Sequence, residues 1–275
     1  MAFTPFTTEA YISLAFSLIF CLALPITALI VWKKKNKDLK VMLPAIIGAL
    51  GFFLFAMILE QILHIVMLPL VQDSKVLYVI YGCLAAGVFE ETSRFLALKF
   101  VLKKHIADGD PRHAISYGIG HGGIEAMLLI SLNSITFLSF GILISLGMGE
   151  LILTGVPEEQ IPLAMSQVNA VAEQSFGSSL LGCFERVVAM TAHICFTIIV
   201  YYGVTMKKVI FFPLAILCHA LVDVAAALYQ VGVITELYVL EIIAAAAAVV
   251  LVFAASVLYK KMKKEYNGNI TAVTE

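Results

Sequence analysis

The chain has 275 residues, 61% of them hydrophobic and only 13% charged, with a formal net charge of −1. A mean hydropathy of +0.98 leaves too little polar surface to cover a soluble core of this size, so the chain belongs in a bilayer. No basic stripe remains once the loop lysines take their topological role, which excludes a nucleic-acid partner.

Apolar segments follow one another from residue 9 to 259 without a long soluble insert, predicting a single transmembrane domain over 1–266. The N-terminus carries Glu9, no basic run and no small-residue cleavage site, as expected of a retained first helix. Runs long enough to cross the hydrocarbon core lie near 9–32, 41–70, 76–102, 113–148, 178–204, 209–231 and 235–259. The fold class is therefore all-α, a polytopic membrane bundle of about seven transmembrane helices. Lys33, Lys34, Lys35, Lys37 and Lys40 follow the first span, Lys103, Lys104 and Arg112 the third, Lys207 and Lys208 the fifth, and Lys260, Lys261, Lys263 and Lys264 the last. With seven crossings all fall on one side, giving N-out and C-in. Splitting 113–148 in two would put the later basic loops on the wrong side, so it is read as one long, tilted or extended helix.

The loop 149–177 carries Glu150, Glu158, Glu159 and Glu173 and no Lys or Arg. It is expected on the extracytoplasmic side, lying in the interface or forming an ordered loop. The alanine run 244–248 favours close helix packing, and the polar residues 267–275 are expected to form a short, disordered cytoplasmic tail. Asn269-Ile-Thr271 matches a glycosylation acceptor but falls on the inside and is discounted. The five cysteines lie in apolar runs without a CxxC and read as packing residues, although Cys195 and Cys218 stand near His193 and His219.

Ionisable side chains in mid-span are costly and persist where they face a bundle interior or a water-filled cavity. The third span carries Glu90, Glu91 and Arg94 in FEETSR and the fourth His121 and Glu125 in HGGIEA. The fifth carries Glu185, Arg186 and His193, the sixth His219 and Asp223 in HALVD, and the second Glu60 and His64. Residues three or four apart share a helix face, so both glutamates reach Arg94, and Glu60 with His64, His121 with Glu125 and His219 with Asp223 form pairs. Counted at about 1.5 Å per residue, Glu90, Glu91, Glu125, His193, His219 and Asp223 fall near the bilayer middle. They are expected to form one site, whereas Glu60, His64, Glu185 and Arg186 lie nearer the outer face, and Glu60, Glu185 and Arg186 are expected to form a structural network.

A carboxylate pair with one Arg on its own helix suits hydrolysis: one member can act as general base toward water while its neighbour is protonated or paired. A histidine opposite can orient the water, and His219 held by Asp223 can donate to a developing oxyanion. Gly118, Gly120, Gly122 and Gly123 around His121 allow close approach of substrate or, equally, of another helix.

The ordered set Glu90-Glu91-Thr-Ser-Arg94, His121-Gly-Gly-Ile-Glu125 and His219-Ala-Leu-Val-Asp223 resembles the glutamic-type intramembrane proteases of the PrsW and CAAX-processing (CPBP) superfamily. Within it the chain looks most like the YhfC family, over roughly residues 76–231. The resemblance implies that Glu90 or Glu91 activates water, that Glu125 assists or binds a metal if there is one, that His219 with Asp223 stabilises the oxyanion, and that Arg94 holds the glutamate pair. This sequence has Glu125 where CAAX-processing enzymes have His, and His121 where an aromatic residue is usual. The assisting residue is thus open, and His193 lies at the right depth to serve.

The expected function is an intramembrane endopeptidase of a bacterial plasma membrane, with a transmembrane or lipid-anchored peptide as substrate and membrane lipids as surroundings. The absence of HExxH favours a metal-free glutamate mechanism; Glu91, His121, Glu125, His193 and His219 are the candidates should a divalent ion such as zinc take part. The chief alternative is an ion-coupled or small-molecule transporter using the same Glu, His and Asp cluster. A haem or quinone protein with histidine ligands and a non-cleaving scaffold are further rivals.

Overall fold

The computed structural model describes residues 3–105 and 109–274, without the side chains of residues 105 and 269–274. Among the described residues there is no strand, and seven helices are long and apolar enough to cross a membrane. These are α1 (Thr8–Lys35), α2 (Met42–Val71), α3 (Lys75–Leu102), α4 (Arg112–Ser145), α6 (Phe176–Thr205), α7 (Phe211–Gln230) and α8 (Leu237–Thr274). A shorter helix, α5 (Ile161–Ala172), lies between α4 and α6.

The spans match those expected from hydropathy to within a few residues, and 113–148 is indeed one helix. At 34 residues, α4 is about 50 Å long, well beyond a hydrocarbon core of roughly 30 Å. The main difference lies at the end of α8, which continues through the polar residues after Tyr266 to Thr274. Extending an existing helix adds one hydrogen bond per residue fixed and needs no new nucleus, so Lys and Glu carry the turn onward where composition alone indicates disorder. α2, α3 and α4 each contain a π-helical stretch, Phe55–Glu60, Ala97–Leu102 and Met127–Ser131, which shifts the faces of the residues on either side.

The chain forms two compact units. The first comprises Met1–Leu24 and Ala126–Arg186. Within it α5 buries Met165, Val168 and Ala172 while Leu163 stays 62% exposed. The backbone N–H of Thr4 donates to Asn169 Oδ1 at 2.9 Å, and that of Thr7 to the Ala172 carbonyl at 3.0 Å. The acidic segment between α4 and α6 is thus helical and pinned by the chain's own start. Glu9 accepts from the Phe176 N–H at 2.7 Å, and Glu185 pairs with its neighbour Arg186.

The second unit comprises Pro25–Glu125 and Val187–Glu275 and holds the larger core. Its centre is the second half of α6, where Phe196, Ile198, Ile199, Val200, Tyr201 and Tyr202 are buried. Here α3 packs along α7, and Gly87 makes room for the Ile216 carbonyl, 2.7 Å from where a Cβ would stand. The glycines around His121 serve helix packing: Gly118 abuts Ile194, Gly120 the Ala45 backbone, Gly122 Met190 and His193, and Gly123 the ring of Pro25. A Cβ on Gly120 would collide with main chain that has no rotamer to yield. Gly120→Ala is therefore expected to destabilise the protein by about 1–3 kcal/mol, whereas Gly82→Ala on α3, with nothing within 4 Å, should not. Thermal unfolding of the two variants in the same detergent checks the contrast.

At the start of α4, Arg112 clasps Asp38 at 2.7 Å and Asp110. Its hydrogen bond holds the Asp38 carboxyl below the usual carboxylate range.

Candidate active site

Every expected site residue lies in the second unit, and four helices bring them together. Consecutive residues on α3 point about 100° apart, and this separates Glu90 from Glu91. Glu91 is fully buried and its Oε1 takes both the Arg94 guanidinium and, at 2.7 Å, His219 Nδ1. Arg94, also fully buried, turns its other terminal nitrogen to His193 Nδ1 at 3.1 Å. It therefore holds Glu91 and a histidine, not the glutamate pair expected from spacing, because the i,i+3 face leads to Glu91 and Glu90 points away.

Glu90 instead faces three histidines. Its Oε2 lies 2.9 Å from His121 Nε2, 3.6 Å from His193 Nδ1 and 3.9 Å from His219 Nε2. Glu125 reaches His193 Nε2, so the face shared by His121 and Glu125 yields contacts to two different partners. His219 Nε2 also meets Asp223 Oδ2 at 3.5 Å, the turn expected from HALVD.

Aromatic rings steady the imidazoles. Phe196 stacks on His219 with centroids 4.7 Å apart and planes 7° from parallel, and Phe52 meets His121 edge-on at 5.2 Å. Both rings sit in apolar stretches and escape a search for ionisable groups; only the spacing of Phe196 three residues after His193 hints at a shared face. Glu60 is 5% exposed and pairs within α2 with His64 at 3.4 Å. His64 Nδ1 in turn meets the Tyr81 hydroxyl at 2.7 Å.

Exposure is graded across the site. The side chains of Glu91, Arg94 and His121 are inaccessible, Glu90 and Glu125 are exposed by 9% and 12%, and Asp223 by 35%. The cluster thus has a closed end at Arg94 and an accessible side at Asp223.

A family model described as the YhfC intramembrane metalloprotease matches residues 20–244, which include all of these groups. The chain belongs to the YhfC family. A Bacillus subtilis (strain 168) relative, described as the uncharacterized membrane protein YhfC, is 37% identical over 253 residues, covering 89% of this chain and 95% of the relative. No solved structure matches the chain. This YhfC-family chain is a multi-pass membrane protein.

The residues present suit a divalent cation. Glu90, His121 and His193 offer donor atoms within 4.8 Å of one another, all buried, and two histidines with one carboxylate are a donor set that zinc hydrolases use. His121 Nδ1 is buried without a hydrogen-bond partner. Four carboxylates, Glu90, Glu91, Glu125 and Asp223, stand with a single guanidinium, Arg94. That excess of negative charge needs cations or protons to persist in low dielectric. The donor group contains no cysteine, and it includes Glu90, which the sequence places among the bases; Glu91, a ligand candidate by sequence, is held by Arg94 and His219, and His193 would ligate by exchanging its Arg94 contact at Nδ1 or its Glu125 contact at Nε2 for the ion.

Proposed function

We propose that this chain is an intramembrane endopeptidase that hydrolyses a peptide bond at membrane depth, and that Glu90, His121 and His193 hold a divalent metal. The convergence of three histidines on Glu90 Oε2 in a buried, negatively charged cluster carries this reading, and the family description supports it. It revises the metal-free mechanism favoured by the missing HExxH, since ligands from three different helices leave no contiguous motif.

A divalent cation held there would acidify water and polarise a carbonyl. The chain's own groups supply the rest. Glu125 takes one proton as the water oxygen bonds to the peptide carbonyl carbon, and returns it to the leaving nitrogen as the C–N bond breaks. His219 is oriented through Nδ1 by Glu91 and turns Nε2 toward Asp223 and Glu90, where, carrying a proton, it can donate to the oxyanion. Glu91 and Arg94 are positioning residues, sealed from solvent behind the reacting groups. The accessible side at Asp223 is where a transmembrane or lipid-anchored peptide would enter.

In proteoliposomes, the purified protein is expected to cleave a membrane-embedded reporter peptide. Cleavage should stop on exhaustive chelation and return with Zn²⁺ or another divalent ion. Undiminished cleavage by protein shown to be metal-free would overturn the metal assignment and restore the glutamate-only mechanism. Ion-driven solute uptake without cleavage of any membrane peptide would favour the transporter.

A further inference from the structure

A cavity of about 250 Å³ lies apart from the histidine cluster, at the end of the second unit where Lys103 follows α3, Lys207 follows α6 and α8 carries its lysines. Leu98, Leu102 and Met262 line it and are core residues, 1%, 3% and 2% exposed. Lys103, Lys207 and Glu265 line it as well and are exposed, and the buried His113 and Tyr201 bring polar groups to its wall, so the cavity has a mixed interior and a charged rim. Lys207 has a φ of 56°, the left-handed conformation that ends α6 and turns the chain back toward α7.

Position and size narrow the occupant. The membrane-length parts of α3 and α6 end at Leu102 and Thr205, so the rim lies where hydrocarbon gives way to headgroups. An entering helix, about 10 Å across with its side chains, is too large for this volume. Two lysines call for an anion, and a carboxylate beside them calls for a hydrogen-bond donor on the same molecule.

We propose that this cavity binds the phosphate diester headgroup of a membrane phospholipid. Lys103 and Lys207 take the phosphate, and Glu265 accepts from a hydroxyl or ammonium beyond it. Basic pockets between transmembrane helices recognise anionic headgroups in this way. The site is independent of the peptidase chemistry.

The test uses the full chain, stripped of lipid by detergent exchange and titrated by native mass spectrometry with phosphatidylglycerol, phosphatidylethanolamine, phosphatidylcholine and inorganic phosphate. Phosphatidylglycerol and phosphatidylethanolamine are expected to bind more tightly than phosphatidylcholine, whose headgroup has no donor for Glu265. Lys103→Gln with Lys207→Gln should weaken phosphatidylglycerol about tenfold or more, while Lys103→Arg with Lys207→Arg retains it. Unchanged phosphatidylglycerol binding by the glutamine pair would overturn the site. Inorganic phosphate that displaces the lipid at equal concentration would overturn the lipid assignment in favour of a soluble phosphate.

Discussion

Glu90→Gln is expected to abolish cleavage of a membrane-embedded peptide, a loss of at least about 10³-fold, while the protein still inserts and folds. Glutamine keeps the size of Glu90 and one hydrogen-bond acceptor but removes the charge that faces His121, His193 and His219. If Glu90 is a ligand, bound metal falls together with activity, and the expected loss matches the several kcal/mol that such an ion contributes to charge stabilisation. Glu125→Gln separates the two roles. It should leave the metal content of the purified protein near wild type and lower kcat by roughly 10²–10⁴-fold, as loss of a general base does. Metal analysis beside single-turnover cleavage makes the distinction. A Glu90→Gln protein that cleaves and binds metal normally would remove the centre from this site.

The second large effect concerns stability. Arg94→Met should destabilise the protein by about 3–5 kcal/mol, seen as a lowered thermal midpoint in detergent and a loss of inserted protein. Glu91 is completely buried, its Oε1 is held by Arg94 and His219, and its Oε2 has no partner. Removing the guanidinium leaves that carboxylate with His219 alone to offset its charge in low dielectric. Arg94→Lys should recover only part of the loss, because an ammonium does not span both Glu91 and His193 as the planar fork does. The double variant Glu91→Leu with Arg94→Met removes both charges and should regain most of the stability. It should remain poorly active, because His219 Nδ1 has lost the acceptor that orients its ring; losses of such supporting partners commonly cost about 10–100-fold. Arg94→Met as stable as the wild type would show that this ion pair does not anchor the cluster.

Which side chains cluster in the candidate site was legible in the sequence, but how they pair was not. Glu90, Glu91, Glu125, His193, His219 and Asp223 stand out because an ionisable group in an apolar span is costly and must have a compensating neighbour. Spacing also found contacts within one helix, Glu91 with Arg94, Glu60 with His64 and His219 with Asp223. It failed for contacts between helices. His121 looked like the partner of Glu125, yet the rotation of α4 against α3 turns it to Glu90. That rotation is set where Gly118, Gly120 and Gly122 let α4 close on Ile194, Ala45 and Met190. Phe52 could not be singled out at all, and Phe196 only by its spacing from His193, since a ring that steadies an imidazole has the same chemistry as one that fills a core.

By itself the sequence determined that the chain spans a membrane, where its seven membrane-length helices run, and which side chains are too polar to face lipid. These follow from the transfer of short segments between water and hydrocarbon, a property of local composition. Only the tertiary structure decided that Glu90 and Glu91 part company, one toward three histidines and the other sealed with Arg94. Adjacent residues on a helix leave it about 100° apart, and which direction meets a histidine and which an arginine depends on how tightly the neighbouring helices close.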